Sequence, residues 1–394
     1  MSSNQRCAYA HTKGVAVATI DVKAFYDQLV DNELDFFCGV PDSLLKSFCS
    51  YVSEVEDKSK NIITANEGNA VGIACGYHIA SGKCGVVYMQ NSGEGNAINP
   101  LLSIADPAVY SIPMLLIIGW RGEPGVHDEP QHVKQGAVTL SILETMDIPY
   151  EILGDNWEKQ LRDVIRIMNE ESRPVALVVR KGLLSAYPYL PDENDAPLCR
   201  EEALELILSK TDEDDFIVST TGKTSREIFE IREARGQTHS QDFLTVGGMG
   251  HTSSIAFGMA VGTDKNVYCI DGDGSFLMHM GAAAVIAQNA PDNFKYILNN
   301  NEAHESVGGQ PTVAGRIDVS AVLKSCGFEK IIEARERGEI LQGMDDLARN
   351  KKTALVVTTH QGSRFDLGRP TISPVENKQA MMRAFERSRY ENVL

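Results

Sequence analysis

The chain has 394 residues, with 37 Lys and Arg against 54 Asp and Glu, so its formal net charge at pH 7 is −17. That charge argues against nucleic acid or an anionic membrane as a partner. An apolar fraction of 43% and a charged fraction of 23% exclude a disordered, collagenous or fibrous chain, and the length suits two domains.

The cysteines and the N-terminal residues indicate the compartment. The eight cysteines are scattered and form no C-x-x-C pair, which predicts reduced thiols in a cytoplasmic protein. Residues 1–14 contain no apolar run, and the run from Ile112 to Trp120 is too short to cross a bilayer. We therefore expect neither a signal peptide nor a transmembrane helix.

Short β-branched segments alternate with helix-length stretches along the chain. They are IITAN, GVVYMQ, MLLIIGW and ALVVRKG, then FIVSTTG, NVYCIDGDG, KYILNNN and ALVVTTH. This alternation predicts an α/β protein with two doubly wound parallel sheets. Residues 186–200 are rich in Pro, Asp and Glu, which predicts a linker between domains at 1–185 and 201–394. Because such sheets bind ligands beyond the carboxyl ends of their strands, site residues are sought there.

In the first half, Glu67 lies between a predicted strand and a predicted helix. Apolar residues follow it, so burial would raise the pKa of its carboxyl and let it hold a proton. The alternative is an acid that simply stabilises the start of a helix through the helix dipole.

In the second half, the run Gly272-Asp273-Gly274-Ser275 directly follows a predicted strand. Gly272 and Gly274 allow the backbone to approach a phosphate closely, and Ser275 opens a helix whose N–H groups point at an anion. A strand-turn-helix with Gly and Asp is common, so the run alone is a weak indication.

Asn299-Asn300 ends the next predicted strand and strengthens that indication. One helix and one strand fit between Asp273 and Asn300, so both side chains are expected at the same edge of the sheet. A carboxylate, an amide oxygen, a backbone carbonyl near Glu302 and phosphate oxygens together suit Mg²⁺.

This pattern resembles the cofactor-binding motif of the thiamine diphosphate-dependent decarboxylase and transketolase superfamily. The resemblance implies that Asp273, Asn300 and the carbonyl of Glu302 bind Mg²⁺. It also implies a pyrimidine-binding domain followed by a diphosphate-binding domain, here without the central domain of many relatives. Glu67 would then be catalytic and share its proton with the pyrimidine ring of the cofactor.

Two more segments carry the resemblance. Gly247 to His251 resembles the segment that supports the bent cofactor, with Met249 as a wedge and the Gly247 carbonyl as an acceptor. Alone, Met249 would be a core residue. Thr221 and Gly222 follow FIVST and have donors for a phosphate, although an ordinary helix N-cap explains the neighbouring residues equally well.

Five further segments resemble the phosphonopyruvate decarboxylases and the related sulfopyruvate decarboxylases: residues 38–43, 91–100, 120–124, 127–132 and 303–312. The resemblance implies decarboxylation of 3-phosphonopyruvate to phosphonoacetaldehyde and CO₂ in phosphonate biosynthesis. The alternative is sulfopyruvate or another 2-oxo acid as substrate. Glu94 stands where we expect an apolar residue.

A small anionic 2-oxo acid requires nearby cations, and the candidates are Arg121, Lys223 and Arg226. His127, Asp128 and His132 follow MLLIIGW and resemble paired histidines that relatives place over the cofactor. A solvated loop is the alternative for these residues.

His304 lies just beyond the predicted metal-binding strand. We expect it to transfer a proton or bind the phosphonate, and a structural role is the alternative.

Two other classes of protein fit less well. Gly93-x-Gly95 also follows a strand, as in nicotinamide-dependent oxidoreductases, but Ile98 replaces the third glycine. A non-enzymatic cofactor-binding protein would not need Glu67 together with the metal motif. Because the two half-sites belong to different domains, the resemblance implies a homo-oligomer with active sites at the subunit contact.

Overall fold

The computed structural model describes residues 19–188 and 194–391. In that part of the chain the strands form two six-stranded sheets, and every pair of neighbouring strands is parallel. The described ranges contain no third sheet. The predicted pair of doubly wound α/β domains is confirmed.

The first sheet has the strand order β2-β1-β3-β4-β6-β5. Its strands are β1 Phe37–Gly39, β2 Asn61–Ile63, β3 Gly85–Gln90, β4 Met114–Gly119, β5 Tyr150–Ile152 and β6 Pro174–Val179. Its helices are α1 Val22–Asp31, α2 Lys46–Val55, α3 Glu67–Ser81, α4 Glu94–Pro100, α5 Pro130–Thr145 and α6 Trp157–Glu171. A 3₁₀ turn, Asn91–Gly93, precedes α4, and a π turn, Leu101–Ala105, follows it.

The second sheet has the strand order β11-β12-β10-β9-β7-β8. Its strands are β7 Phe216–Ser219, β8 Asp242–Leu244, β9 Val267–Gly272, β10 Phe294–Asn300, β11 Lys330–Ala334 and β12 Thr353–Thr358. The helices are α7 Arg200–Leu208, α8 Lys223–Ala234, α9 Thr252–Val261, α10 Asp273–Met278, α11 Gly281–Asn289, α12 Val319–Cys326, α13 Arg337–Arg349 and α14 Pro374–Glu391. A 3₁₀ turn, Val313–Arg316, lies between β10 and α12.

Helices cover both faces of each sheet, which is why β3 and β4 are apolar along nearly all of their length. In β3, Val86 and Tyr88 pack into one apolar cluster and Val87 and Met89 into the other. Side chains alternate between the faces of a strand, so a strand covered on both sides has no polar face. Burying a side chain the size of Val87 contributes roughly 2 kcal/mol.

The strand order places a ligand crevice in each sheet. The chain runs from β1 to β2 on one side and then returns to β3 on the other, and β7, β8 and β9 repeat this arrangement. Ligands of open parallel sheets bind where the strand order reverses, beyond the carboxyl ends of the strands. The segments that follow β1, β3, β7 and β9 are therefore positioned to form a site.

Within residues 19–188 and 194–391, none of the helices combines the length and the apolar character that crossing a membrane requires.

Candidate active site

A cavity of about 1010 Å³ lies at the carboxyl ends of strands from both sheets. Glu67 and His132 line it from the first domain, and Met249, Asp273 and His304 line it from the second. The structure thus brings the two predicted half-sites together in one cavity of a single chain.

Glu67 is placed by the start of α3. Asn66 caps this helix by accepting a hydrogen bond from the Asn69 backbone N–H at 3.0 Å, which makes Glu67 the first helical residue. The side-chain amide of Asn96 donates to Glu67 Oε2 at 2.7 Å. Burial raises the pKa of Glu67, and the hydrogen bond from Asn96, which lowers it, offsets only part of this rise.

The approach of α4 to Glu67 requires a glycine. A Cβ atom at Gly93 would lie 2.4 Å from Glu67 Oε1, so no side chain fits there. Gly93, the first glycine of the Gly93-x-Gly95 segment, therefore makes room for the carboxyl of Glu67.

The predicted metal ligands converge at the ends of β9 and β10. Asn299 pairs with Gly272 across the two strands, so Asn300 and Asp273 are the next residues along this edge. Thr312, to which the sequence analysis assigned no role, donates a hydrogen bond from its hydroxyl to Asp273 Oδ2. The Asn300 side-chain oxygen accepts from the Glu302 backbone N–H at 3.2 Å.

These oxygen donors fit Mg²⁺. Asp273 is buried, and burial raises its pKa to about 7 despite the hydrogen bond from Thr312. A bound cation would offset this burial and favour the ionised carboxylate. The carbonyl of Glu302 accepts one hydrogen bond, from Thr312 N–H at 2.9 Å, and keeps a second lone pair for a metal.

The segment around Met249 links two predicted phosphate-binding segments. Gly247 N–H donates to the Thr221 hydroxyl at 3.0 Å, and Gly250 N–H donates to the Ser275 hydroxyl at 3.2 Å. Gly247 and Gly250 have φ values of 74° and 87°, which favour glycine.

Met249 itself lines the cavity and belongs to none of the apolar core clusters of the described residues. A Cβ at Gly274 would lie 3.2 Å from the Met249 methyl group, so the side chain approaches the predicted diphosphate-binding turn closely. Gly222 and Gly272 line the same wall.

Two family models match the chain. The model described as thiamine pyrophosphate enzyme, N-terminal TPP binding domain, matches residues 22–142, and the C-terminal TPP binding domain matches residues 220–363. The chain belongs to the thiamine pyrophosphate enzymes. Its cofactor is therefore thiamine pyrophosphate, also called thiamine diphosphate, as the sequence analysis predicted.

Several relatives of this thiamine pyrophosphate enzyme are similar over nearly its whole length. The phosphonopyruvate decarboxylase of Streptomyces hygroscopicus is 32% identical, with 86% of this chain and 87% of that protein covered. The phosphonopyruvate decarboxylase of Streptomyces viridochromogenes is 31% identical, with 86% and 88% covered. The sulfopyruvate decarboxylase of Methanosarcina acetivorans is 30% identical, with 78% and 83% covered.

Two of the predicted histidines line the cavity of this thiamine pyrophosphate enzyme, one from each domain. Burial lowers the pKa of His304 to about 4, and burial together with the charge of Arg121 lowers that of His132 to about 4. Both rings are therefore neutral at pH 7. His132 Nδ1 is buried without a hydrogen-bond partner.

His127 and Asp128 have different surroundings. His127 is exposed and is not among the residues that line the cavity, so its catalytic role stays a prediction. Asp128 accepts hydrogen bonds from Arg121 Nε at 2.7 Å and from Arg121 Nη2. Burial alone would raise the pKa of Asp128, but these bonds and that from Gly122 N–H lower it to about 2. Asp128 is therefore ionised at neutral pH, and its carboxylate orients the guanidinium of Arg121.

Lys223 belongs to a buried ionic network that the sequence analysis did not predict. Its ammonium donates to Glu305 Oε1 at 2.9 Å, and Arg200 donates to Glu305 Oε2 at 2.6 Å. Arg200 also forms a paired contact with Glu227 at 2.6 and 2.7 Å. Glu305 lies between two cations, so the net charge that this network presents to the cavity is small.

Arg226 lines the cavity but is held by the C-terminal part of the chain. Its Nε donates to the Gly368 carbonyl at 2.5 Å, and its Nη2 donates to the Leu367 carbonyl. Residues 369–374 follow and also line the cavity. This wall was not predicted, because no recognised sequence motif extends beyond Gly362.

Glu94, which stands where an apolar residue was expected, is buried at the start of α4. Burial raises its pKa to about 8, so this carboxyl is mostly protonated at pH 7.

Proposed function

We propose that this thiamine diphosphate enzyme decarboxylates 3-phosphonopyruvate to phosphonoacetaldehyde and CO₂ in phosphonate biosynthesis, with Mg²⁺ as the metal. The observation that carries the proposal is that buried Glu67 of the first domain lines the same cavity as Asp273 and Met249 of the second. Two relatives named phosphonopyruvate decarboxylase, each covering 86% of the chain, support this substrate over sulfopyruvate.

The proposed roles of the cofactor-binding residues follow from their positions. Asp273, Asn300 and the Glu302 carbonyl would hold Mg²⁺, and the turn from Gly272 to Ser275 would hold the diphosphate together with Thr221 and Gly222. Met249 and the Gly247 carbonyl would support the bent cofactor. Thiamine diphosphate, when bound, supplies the electron sink for the pair left by the departing CO₂.

Glu67 is proposed to hold and release the proton that the cofactor needs at its pyrimidine ring. Its pKa, raised by burial, supports this role, because burial favours the protonated form of the carboxyl, which is the form that can donate. The neutral rings of His132 and His304 are proposed to move protons at the substrate. Arg121, Lys223 and Arg226 are proposed to provide positive potential for the anionic substrate.

The function is tested by turnover with three 2-oxo acids. The purified protein is incubated with 3-phosphonopyruvate, sulfopyruvate or pyruvate, each with and without Mg²⁺ and thiamine diphosphate, and the CO₂ released is measured. The proposal expects the highest kcat/KM for 3-phosphonopyruvate and no turnover without the cofactor. Equal or higher kcat/KM for sulfopyruvate would reject the substrate assignment.

We also propose that the chain self-associates in the cytoplasm and that its domains span residues 1–185 and 201–394, with a linker at 186–200. Relatives named sulfopyruvate decarboxylase subunit beta and subunit alpha, which match 48% and 40% of this chain, support an assembly built from more than one subunit. All the cysteines in the described ranges are free, in keeping with a reducing compartment. The resemblance places active sites at the subunit contact, whereas the structure pairs both half-sites within one chain.

A further inference from the structure

The C-terminal segment forms a wall of the cavity beyond the part of the chain that the family models match. The match ends at residue 363, and β12 ends before it at Thr358. We call residues 364–374 the C-terminal strap. Its last part, from Arg369 to Pro374, lines the cavity, so a side chain carried on the strap reaches the space available to a substrate.

Both ends of the strap are fixed to the second domain. Near its start, Arg226 donates to the carbonyls of Leu367 and Gly368, and Gly368 N–H donates to Glu230 Oε1. Just beyond its end, buried Asn377 accepts from Leu244 N–H at 3.1 Å and donates to the Asp242 carbonyl at 2.7 Å. These contacts hold the intervening residues over the cavity.

Arg369 lies between these two anchors and pairs across the cavity mouth with Glu129 of the first domain. The side chain of Arg369 is 56% exposed and that of Glu129 is 29% exposed. An ion pair with this much solvent contact is weak, so an anion of higher charge can replace the carboxylate.

The other cations of the cavity are held more firmly. Arg121 is bound by Asp128, which stays ionised down to low pH, and Lys223 is bound by Glu305, whose side chain is only 9% exposed. The guanidinium of Arg226 is engaged by the strap carbonyls. Among the Lys and Arg residues that line the described cavity, Arg369 is therefore the cation most available to a ligand.

We propose that Arg369 binds the anionic group at the methyl end of the substrate, taking it in place of the Glu129 carboxylate. A phosphonate presents several oxygens that the planar guanidinium can engage in pairs, which an ammonium cannot do. The inference rests on the proposed function, because the substrate must carry a second anionic group. It makes Arg369 a substrate-specificity residue.

The test compares substrates with and without the second anionic group. Arg369→Ala is expected to raise KM for 3-phosphonopyruvate about 10- to 100-fold, as for the loss of one charge-assisted hydrogen-bonded pair. KM for pyruvate, which lacks this group, is expected to stay within about twofold. Arg369→Lys is expected to recover only part of the loss, because it restores charge without the paired donors.

Binding to the holoenzyme provides a measurement that does not depend on turnover. The probe is 3-phosphonopropionate, which has both acidic groups but no ketone, and calorimetry gives its Kd. Arg369→Ala is expected to weaken this binding by the same factor as KM. Glu129→Gln, which removes the competing carboxylate, is expected to tighten it.

Lys378→Ala is the matched control, since Lys378 is an exposed cation on α14 outside the cavity. It removes the same charge and is expected to change neither KM nor Kd. An unchanged KM for 3-phosphonopyruvate in Arg369→Ala, or an equal rise for pyruvate, would overturn the role of Arg369. If the unmodified enzyme prefers sulfopyruvate, the proposed substrate fails, and the Arg369 comparison is made with sulfopyruvate against pyruvate.

Discussion

The side-chain amide of Asn66 donates a hydrogen bond to the carbonyl of Met278 at 3.2 Å, which joins the two domains beside the active site. The same Asn66 caps α3, where Glu67 is the first residue, and Met278 ends α10, which begins at Asp273. One residue therefore fixes both the helix that begins at the proposed proton carrier Glu67 and the contact of this helix with α10, which begins at the proposed metal ligand Asp273.

Glu67→Gln is expected to lower kcat by about 10²- to 10⁴-fold, the contribution usual for a positioned acid or base. Glutamine keeps the size of the side chain but cannot release a proton, so the Kd of thiamine diphosphate is expected to change little. Steady-state kinetics and cofactor titration measure the two quantities.

The control for that substitution is Glu158→Gln, because Glu158 is an exposed acid in the first turn of α6. If Glu67 only stabilises a helix start, both variants will lose a few tenths of a kcal/mol and keep full kcat. This outcome would contradict the catalytic role.

Asp273→Asn is expected to weaken Mg²⁺-dependent binding of thiamine diphosphate by about tenfold or more, because an amide replaces the charged metal ligand. Calorimetric titration of the cofactor at several Mg²⁺ concentrations measures this change. Asp292→Asn, at an exposed residue paired with Lys351, is the control. Binding that is unaltered by Asp273→Asn and unaffected by removal of Mg²⁺ would refute the metal site.

Mixing two inactive variants distinguishes a site within one chain from a site between chains. The structure pairs Glu67 and Asp273 within one chain, so Glu67→Gln mixed with Asp273→Asn is expected to stay inactive. If the half-sites pair across a subunit contact, mixed oligomers will contain intact sites and recover activity. Light scattering of each variant establishes that subunits associate, and energy transfer between differently labelled variants establishes that they exchange.

Arg200→Met is expected to lower the free energy of unfolding by about 3–5 kcal/mol, because it leaves the buried carboxylate of Glu227 without its cation and Glu305 with Lys223 alone. Arg200, Glu227 and Glu305 are all nearly inaccessible to solvent. Lys210→Met, which breaks an exposed pair with Asp345, is the control and is expected to cost less than about 1 kcal/mol. Urea unfolding of the two variants gives both values, and equal losses would contradict the importance of burial.

The His132 ring predicts a pH dependence of stability. Burial, with the charge of Arg121, lowers its pKa to about 4, below the ordinary value of 6.5. The unfolded chain therefore binds more protons than the folded chain between these two values, so stability falls as pH falls from 6.5 to 4. Stability is unaffected by this group above pH 6.5.

His132→Asn removes that titration, so its urea midpoint is expected to decline less steeply over the same pH range. His78→Asn, at a histidine outside the cavity, is expected to follow the unmodified protein. Identical slopes for all three proteins would show that His132 makes no such contribution.

Strand length accounts for most of which strands could be predicted from the sequence, except that the three-residue β2 was predicted within IITAN and the five-residue β11 was not predicted. The apolar runs that form β3, β4, β9 and β10 are six or seven residues long and were predicted. The strands β1, β5 and β8 have three residues each, too few for a pattern to be distinguished from a loop. They are held by pairing with longer neighbours, which only the folded sheet supplies.

The candidate site was predicted only where it lies in local motifs. Glu67 and Asp273 each follow a strand in a short recognisable segment, and both line the cavity. The contact between Arg200 and Glu305 joins residues 105 positions apart, and that between Arg226 and Gly368 joins residues 142 positions apart. No local pattern can indicate such pairs, so the ionic network and the strap were not predicted.

The family match ends at residue 363, but the strap and α14 that follow it contribute to the cavity and to the core of the second domain. Beyond the strap, Met381 and Ala384 of α14 pack into the second domain's core, and Phe385 stacks on Phe216 of β7 at 3.9 Å between ring centroids. A truncation designed at residue 363 from the family match would remove these contacts and one wall of the cavity.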